Sequence, residues 1–123
     1  MRKIEHHKTN AANEAITIEA DERNPKNGNA SHLYVISWRD PDDSGMEVEI
    51  PFQNGPIKEC GVNGVTNEAL LAVLIDRMEG FQSSQWECPE NAVALECLER
   101  ALKALKARTE RRVARGVEGT HEV

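Results

Sequence analysis

A run of regularly spaced leucines dominates the second half of the chain. It lies in a segment that begins at Pro89 and ends before Gly116, 27 residues in all. Proline suits the first position of a helix because its missing N–H has no partner there, and glycine commonly follows the last position. A helix of this length spans about 40 Å. Its narrow apolar seam is too long for one small domain to cover, which predicts an oligomer; the seam is Leu95, Leu98, Leu102 and Leu105.

A shorter helix is predicted upstream of this seam. Thr66 or Asn67 can cap its start, and Glu68 lies in its first turn. Gly80 is expected to end it in a left-handed conformation. Its apolar residues recur at helical spacing, as Leu70, Leu71, Leu74, Ile75 and Met78.

The first half of the chain alternates between apolar and polar residues with a period of two, which is typical of strands with one polar face. Four segments show the pattern, and turn-forming residues separate them: KIEHHK, AITIEA, HLYVISW and MEVEIPFQ. The predicted fold class is α+β, a small N-terminal antiparallel sheet of about four strands followed by two C-terminal helices. The acidic segment 40–45 is predicted to be a solvated hairpin loop.

The length of 123 residues predicts a single domain over 1–123, with the sheet in 1–54, the two helices in 66–116 and a tail in 117–123. No apolar run reaches the roughly 20 residues of a membrane helix, and the first residues lack the apolar stretch of a signal peptide. A cytoplasmic protein without membrane partners is therefore expected. The sequence has three cysteines, an odd number, and no CxxC pair, which indicates reduced and mostly buried thiols.

Charge is distributed unevenly along the chain. The net charge is -6, yet residues 100–115 contain seven cations and one anion, so the rest of the chain carries -12. This acidity argues against duplex nucleic acid as a partner, because nonspecific affinity for phosphates comes mainly from lysine and arginine. A small anionic ligand held by a local basic patch is consistent with the pattern.

The residues that enzymes and metal sites commonly use do not form a constellation. His6 and His7 are neighbours on a predicted strand, so their side chains should point to opposite faces and cannot chelate one metal ion. The sequence has no HxxxH, no HExxH and no paired cysteines, which predicts neither a metal nor another cofactor. Neither Cys60 nor Cys88 is linked in sequence to a histidine base, so no catalytic residue and no enzymatic activity are predicted.

The GVNG segment, residues 61–64, allows two interpretations. It has the form of the GxxG clamp of KH domains, but that clamp joins two helices, whereas this one follows a strand. The simpler interpretation is a strand-to-helix turn in which Gly61 and Gly64 supply positive φ angles. Backbone N–H groups just before a helix also suit phosphates.

Phe81 and Asn91 flank the predicted loop between the two helices. An aromatic ring can stack on a nucleobase, and a carboxamide can both donate to and accept from a base edge or a ribose hydroxyl. The pair is thus a plausible base pocket. The alternative is that Phe81 seals the core beneath the loop while Asn91 caps the second helix.

Arg108 and Arg112 are four residues apart and therefore share one face of the second helix. Each guanidinium can hold a phosphate through two N–H groups. On a monomer they would form an ordinary solvated face, whereas several copies in a symmetric oligomer could converge on one anion.

The second half resembles the first described family of Thoeris anti-defence proteins from phages. The resemblance covers roughly residues 52–123 and is carried by two blocks, NGPIKE followed after one cysteine by GVNGVTNEALLA, and the tail ARGVEGTH. The first 50 residues share with the family an order of strands and no motif.

The resemblance implies a protein that binds and sequesters cyclic ADP-ribose isomers made by TIR-domain proteins, without cleaving them, in the cytoplasm of the infected host. It also implies a small sheet with two helices, assembled as homodimers that can join into hexamers. Phe81 matches the family's adenine-stacking aromatic and Asn91 its pocket asparagine. Arg108 and Arg112 match an arginine pair that holds cyclic di- or trinucleotides at a second, inter-subunit site in some members.

Lys58 and Arg115 are further candidates for the site of Phe81 and Asn91, as cations that bind a pyrophosphate. They are chosen for their chemistry and position and not for a motif match. The main alternative function is an oligomeric phage protein that binds protein or nucleic acid through the basic end of the second helix. A third possibility, an enzyme that cleaves the signal, has no candidate catalytic residues behind it.

Overall fold

The computed structural model describes residues 1–122. The chain divides into two compact units, Met1–Gly64 and a second unit that begins at Val65. The first unit contains the sheet and the second contains two long helices, so the predicted α+β fold class is confirmed.

The sheet has four antiparallel strands in the order β1-β2-β3-β4, each next to its neighbour in sequence. The strands are β1 Arg2–Ile4, β2 Thr17–Ala20, β3 Leu33–Arg39 and β4 Gly45–Pro51. Ile36 of β3 pairs with Ile18 of β2 and Val48 of β4, which places three branched apolar side chains in one row. Val35, the preceding residue of β3, pairs instead with Glu19 and Glu49, so this strand is apolar at both alternating positions.

The loop between β3 and β4 is the predicted acidic hairpin connection. Its first aspartate, Asp40, accepts hydrogen bonds from the backbone N–H groups of Asp42 and Ser44, at 3.0 and 2.9 Å. Asp43 adopts a φ of 63° and pairs with Arg39 at 3.7 Å. Residues 41–45 are exposed.

The first strand is shorter than predicted. It ends at Ile4, and both His6 and His7 lie in the turn that follows. The Nε2 atom of His7 is 2.7 Å from the carbonyl oxygen of Ile16, a contact that ties this turn to the residue before β2. The prediction that His6 and His7 lie on a strand was therefore wrong. The contact between His7 and Ile16 holds this segment in a turn.

Two short helices complete the first unit, α1 Ala11–Glu14 and α2 Ile57–Cys60, together with a 3-10 turn at Pro25–Asn27. The side chain of Asn10 accepts a hydrogen bond from the backbone N–H of Asn13 at 3.0 Å and so caps α1.

The GVNG segment is a hydrogen-bonded turn that directly follows α2, so the expectation that it follows a strand was wrong. Asn63 exchanges two bonds with the backbone of Asn54, at 2.8 and 2.7 Å, and its own N–H donates to the Gln53 side chain at 3.0 Å. Gly61 has the predicted positive φ, at 71°. Gly64 does not; a Cβ there would instead lie 2.6 Å from the carbonyl oxygens of two residues, Pro51 and Phe52. Glycine is needed at 64 for a close backbone approach.

Helix α3 spans Asn67–Gln82, and the side chain of Thr66 caps it by accepting from the N–H of Ala69 at 3.1 Å. The prediction that Gly80 ends this helix was wrong. The helix continues through Gly80 and ends at Gln82; the hydroxyl of the cap residue Ser83 lies 3.0 and 3.1 Å from two of the last carbonyl oxygens. Phe81 is consequently in the last helical turn rather than in the loop.

Helix α4 spans Pro89–Ala114, close to the predicted bounds. Gly116 follows the cap residue Arg115 with a φ of 73°, as expected of a glycine that ends a helix. No helix among residues 1–122 is both long enough and apolar enough to cross a bilayer.

Burial is low throughout the described residues. Only Ala20 and Ser31 are buried, and the leucines of the α4 seam remain partly exposed. The cysteine prediction was wrong in one respect: all three thiols are free, but Cys60 and Cys97 are exposed and Cys88 is half-buried.

Candidate ligand-binding site

Phe81 and Asn91 lie at the same end of the α3–α4 hairpin. Phe81 belongs to the last turn of α3 and Asn91 to the first turn of α4, and both are half-buried. The loop between the helices is therefore short, and the two predicted site residues flank it, one on each helix.

Hydrogen bonds close this loop and fix its geometry. The Gln82 side chain donates to the carbonyl oxygen of Cys88 at 3.3 Å and accepts from the Cys88 N–H at 3.2 Å. The hydroxyl of Ser84 donates to the carbonyl oxygen of Phe81 at 2.6 Å and accepts from the N–H of Trp86 at 3.1 Å. These bonds hold the residues on either side of the loop in a defined arrangement.

Cys88, and not Asn91, caps helix α4. Its Sγ accepts a hydrogen bond from the backbone N–H of Asn91 at 3.4 Å. The capping alternative for Asn91 is therefore wrong, and its carboxamide has no hydrogen bond to another part of the described chain. A carboxamide beside a fixed loop is suited to a polar ligand.

Arg77 lies over the ring of Phe81. The two residues are four apart on α3, and the guanidinium carbon is 5.1 Å from the ring centroid. This is within the range of a cation–π interaction, and it favours one orientation of the ring. Trp86, the other aromatic residue of this region, is 65% exposed.

The two predicted pyrophosphate cations lie elsewhere in the chain. Lys58 is an exposed residue of α2, in the unit Met1–Gly64. Arg115 follows the far end of α4, roughly 36 Å along the axis from Asn91 at 1.5 Å per residue. Within one chain, Arg115 therefore does not reach the end of the hairpin that holds Phe81.

Arg108 and Arg112 share a face near the C-terminal end of α4 but differ in their surroundings. Arg108 is exposed. The Arg112 side chain is only 11% exposed and is hydrogen-bonded to the tail that follows the helix, including the Glu118 carboxylate at 3.0 Å.

A groove of about 460 Å3 runs along the hairpin, and neither Phe81 nor Asn91 lines it. Its lining combines three apolar residues with two glutamates and two lysines. The lining residues are Ile75, Glu99, Leu102, Lys103, Lys106, Ala107 and Glu110.

The sequence contained weak signals for the contacts that it did not predict. The spacing of Arg77 and Phe81 by four residues was one such signal. Cys88 directly before a helix-starting proline was another, since the residue before the first helical turn commonly caps it. The contact of Gln82 with Cys88 crosses a loop and had no periodic signature.

Comparison with known proteins identifies the hairpin. Residues 45–110 match the family model described as the Acb2/Tad1 hairpin domain, a segment that contains Phe81, Asn91 and Arg108. The chain belongs to the Acb2/Tad1 hairpin family. The family membership expected from the sequence, that of phage Thoeris anti-defence proteins, is confirmed.

A relative from Bacillus phage SBSphiJ7, named Thoeris anti-defense 1, is 51% identical to this chain over 81 residues. The matched residues make up 66% of this chain and 57% of the relative. The chain thus aligns with somewhat more than half of the relative's length.

Proposed function

We propose that this Acb2/Tad1 hairpin protein is a phage anti-defence protein that binds cyclic ADP-ribose isomers and sequesters them uncleaved in the host cytoplasm. The observation that carries the proposal is the end of the α3–α4 hairpin, where a half-buried phenylalanine and a free carboxamide flank a hydrogen-bonded loop. The name of the phage relative supports the anti-defence role.

The chemistry of the hairpin end suits a nucleotide. The adenine base would stack on the face of Phe81 opposite Arg77, since the guanidinium already occupies one side. The Asn91 carboxamide would donate to and accept from the base edge or a ribose hydroxyl. The loop is held by the Gln82–Cys88 pair before any ligand arrives, which lowers the ordering cost of binding.

A sequestering protein needs tight binding and no turnover. Two histidines, His7 and His32, direct a ring nitrogen at backbone carbonyl oxygens, at 2.7 and 3.2 Å. Cys88 serves as a helix cap. These contacts give His7, His32 and Cys88 structural roles, which favours binding without catalysis.

The binding unit would be a homodimer or a hexamer. A second copy would cover the partly exposed seam of α4 and the groove beside it, whose lining of apolar and oppositely charged residues suits a helix. It would also explain how Lys58 or Arg115 could reach a pyrophosphate bound near Phe81, because Arg115 lies at the opposite end of α4.

A second site for cyclic di- or trinucleotides is proposed at the other end of the hairpin. Its members would be Arg108 and Arg112, which share a helix face, with copies from several subunits converging on one ligand. The exposure of Arg108 supports this role.

Titration calorimetry with cyclic ADP-ribose and its glycocyclic isomer tests the first site. Wild-type protein should bind at least one isomer with saturable stoichiometry. Loss of a stacking partner is worth about 1 to 3 kcal/mol, so Phe81→Ala should weaken binding about 5- to 150-fold. Asn91→Ala should also weaken it, whereas Trp86→Ala, a change in the same loop, should not. Unchanged binding by both site variants would disprove the site.

Chromatography of the bound ligand separates sequestration from cleavage. After incubation with excess ligand and heat denaturation of the protein, the ligand should be recovered intact. Conversion of more ligand than there are protein molecules would show an enzyme instead.

The runner-up function is an interaction protein that binds a macromolecule through the basic end of α4. Exposed cations there favour it, among them Lys103, Lys106, Arg108 and Arg111. If this function is correct, Arg108→Glu should abolish partner binding while Phe81→Ala leaves it intact.

A further inference from the structure

Three asparagines of the unit Met1–Gly64 are each followed directly by glycine. They are Asn27, Asn54 and Asn63. Because glycine has no side chain, its backbone nitrogen can approach the carboxamide of the asparagine before it closely enough to react. Such a pair can lose ammonia without an enzyme, in the reaction called deamidation. The contacts in the folded unit differ among the three pairs, so their reactivities should differ as well.

Asn63 is held in place by its side chain. Its Oδ1 accepts from the backbone N–H of Asn54 at 2.8 Å, and its Nδ2 donates to the carbonyl oxygen of Asn54 at 2.7 Å. The next residue, Gly64, lies so close to the carbonyl groups of Pro51 and Phe52 that there is no room for a Cβ. Rotation of the Asn63 carboxamide toward the Gly64 nitrogen would break both hydrogen bonds. This pair is therefore protected while the unit is folded.

Asn27 is restrained through its backbone. It is half-buried and ends the 3-10 turn Pro25–Asn27. Its N–H donates to the carbonyl oxygen of Asn24 at 3.1 Å, and its own carbonyl oxygen lies 3.2 Å from Nε2 of His32. These contacts oppose the backbone rotation that an attack on the carboxamide requires, so this pair should react slowly.

Asn54 has the least restrained carboxamide of the three. The residue is exposed and lies outside the helices and strands, and Gly55 after it forms a bend with a φ of 89°. Among the described residues its carboxamide has one hydrogen bond, in which Oδ1 accepts from Nδ2 of Asn27 at 2.7 Å. Asn63 binds the backbone of Asn54, but the Asn54 side chain can rotate at the cost of a single bond between exposed groups.

We propose that Asn54 is a site of spontaneous deamidation in the folded protein and that the fold protects Asn63 from the same reaction. Hydroxide takes the proton of the Gly55 N–H, the nitrogen bonds to Cγ of Asn54, and the Cγ–Nδ2 bond breaks. The leaving nitrogen takes a proton from water and departs as ammonia. Water then opens the cyclic imide: cleavage of the new Cγ–N bond gives aspartate, and cleavage of the original peptide bond gives isoaspartate. The reaction is independent of the ligand sites on the hairpin.

The isoaspartate product alters the contact between Asn54 and Asn63. The carbonyl oxygen that accepts from Nδ2 of Asn63 becomes part of a free carboxylate, and the main chain, which now runs through Cγ, gains a carbon atom. Residue 54 lies between β4 and α2, so deamidation should loosen the segment that joins these two elements.

Ageing of the full chain at mildly alkaline pH, followed by brief trypsin digestion and mass spectrometry, tests the proposal. Trypsin places the three pairs on separate peptides, residues 27–39, 40–58 and 59–77. A deamidated peptide is heavier by the difference between the water gained and the ammonia lost. In the folded protein, peptide 40–58 should convert at least about tenfold faster than peptide 59–77, and peptide 27–39 at an intermediate rate. In urea the restraints are gone, and all three should convert at rates within about threefold.

Variants test the restraint and its consequence. Gln53→Ala removes the side chain that accepts from the N–H of Asn63 at 3.0 Å and donates to the carbonyl oxygen of Gly61 at 2.8 Å, so it should speed conversion of peptide 59–77. Gln85→Ala, at an exposed position of the hairpin loop, is the control and should change no rate. Aged wild-type protein should unfold at a lower temperature than fresh protein. Asn54→Ser keeps the backbone groups that Asn63 binds but cannot form the imide, so its midpoint should not change with age.

Four results would overturn the proposal. Equal conversion of peptides 40–58 and 59–77 in the folded protein would show that Asn63 is not protected. Conversion of peptide 40–58 in urea alone would show that the fold protects Asn54 too. A difference between the two peptides that persists in urea would assign the order to local sequence and not to structure. An equal loss of stability on ageing in wild type and Asn54→Ser would contradict the loosening by deamidation.

Discussion

Gln82 and Cys88 exchange two hydrogen bonds across the loop that joins α3 to α4. The side-chain amide of Gln82 donates to the Cys88 carbonyl oxygen at 3.3 Å, and its oxygen accepts from the Cys88 N–H at 3.2 Å. Each residue lies next to, or one turn from, a proposed ligand contact: Gln82 follows Phe81, and Cys88 caps the turn that contains Asn91. The pair thus couples the two sides of the site through a single side chain.

Removing this coupling should lower ligand affinity without unfolding the hairpin. Gln82→Ala deletes both hydrogen bonds, so the loop must be ordered on binding, and we expect the dissociation constant for the preferred cyclic ADP-ribose isomer to rise about tenfold. Calorimetry measures the affinity, and circular dichroism verifies the helices. Gln85→Ala, at an exposed position of the same loop, is the control. An equal effect of both substitutions would contradict a specific role for Gln82.

The elements with strong periodicity were predictable from the sequence. Alternating residues located β2, β3 and β4, and the leucine seam with its flanking proline and glycine located α4. Predictions from local sequence patterns failed where a contact with a more distant residue, or a nearby capping residue, had a larger effect on the structure. Gly80 does not end α3, since glycine in a helix costs only about 1 kcal/mol and Ser83 caps the carbonyl oxygens one turn later.

Residue type and the family resemblance nominate Phe81 and Asn91 for the candidate site, and their role stays a prediction. The contacts that support these two residues could not be predicted. The bonds that fix them, and those that bind Arg112 to the tail, join residues through turns whose geometry no periodic pattern encodes. The predicted grouping of Arg115 with Phe81 ignored the length of α4, which separates them within one chain.

Gly64→Ala should destabilise the unit Met1–Gly64. An added Cβ would clash with the backbone carbonyl groups of Pro51 and Phe52, which cannot rotate away as a side chain could. Overpacking of this kind costs about 1 to 3 kcal/mol, and a midpoint lower by roughly 10 °C is expected in thermal unfolding. An added Cβ at Gly45 would have no atom within 4 Å, so Gly45→Ala is the matched control. A midpoint unchanged by Gly64→Ala would mean that the connector shifts to accept a side chain.

Gly80→Ala should have the opposite effect. Gly80 is an exposed interior position of α3, and a Cβ would meet no atom within 4 Å. Alanine should therefore stabilise the helix by about 0.5 to 1 kcal/mol, seen as a midpoint a few degrees higher. A lower midpoint would indicate that Gly80 contacts another copy of the chain closely.

The low burial of the chain predicts that it forms an oligomer. Only two of the described residues are buried, and large apolar side chains remain exposed on both units, including Val48 at 44% and Val93 at 61%. A second copy that covers such surface gains hydrophobic free energy. Sedimentation analysis should therefore give a particle of at least twice the chain mass of 13.7 kDa at micromolar concentration. A monomer at such concentrations would contradict the assembly and the proposed sharing of cations between copies.

Arg77 should contribute to ligand affinity through the ring of Phe81. Its guanidinium carbon is 5.1 Å from the ring centroid, and an exposed cation–π contact is worth about 0.5 to 1 kcal/mol. Arg77→Met should consequently weaken binding of the preferred isomer about two- to fivefold, and Arg77→Lys should weaken it less. Arg100→Met removes the same charge from an exposed position on α4 and should leave affinity unchanged.

A double-mutant cycle separates this indirect effect from a direct contact of Arg77 with the ligand. If Arg77 acts by orienting the ring, Arg77→Met should cause no further loss once Phe81→Leu has removed the aromatic face. If Arg77 instead binds a phosphate, the two losses should add, because each side chain would then meet a different part of the ligand. Additive losses would contradict the orienting role and make Arg77 a ligand contact in its own right.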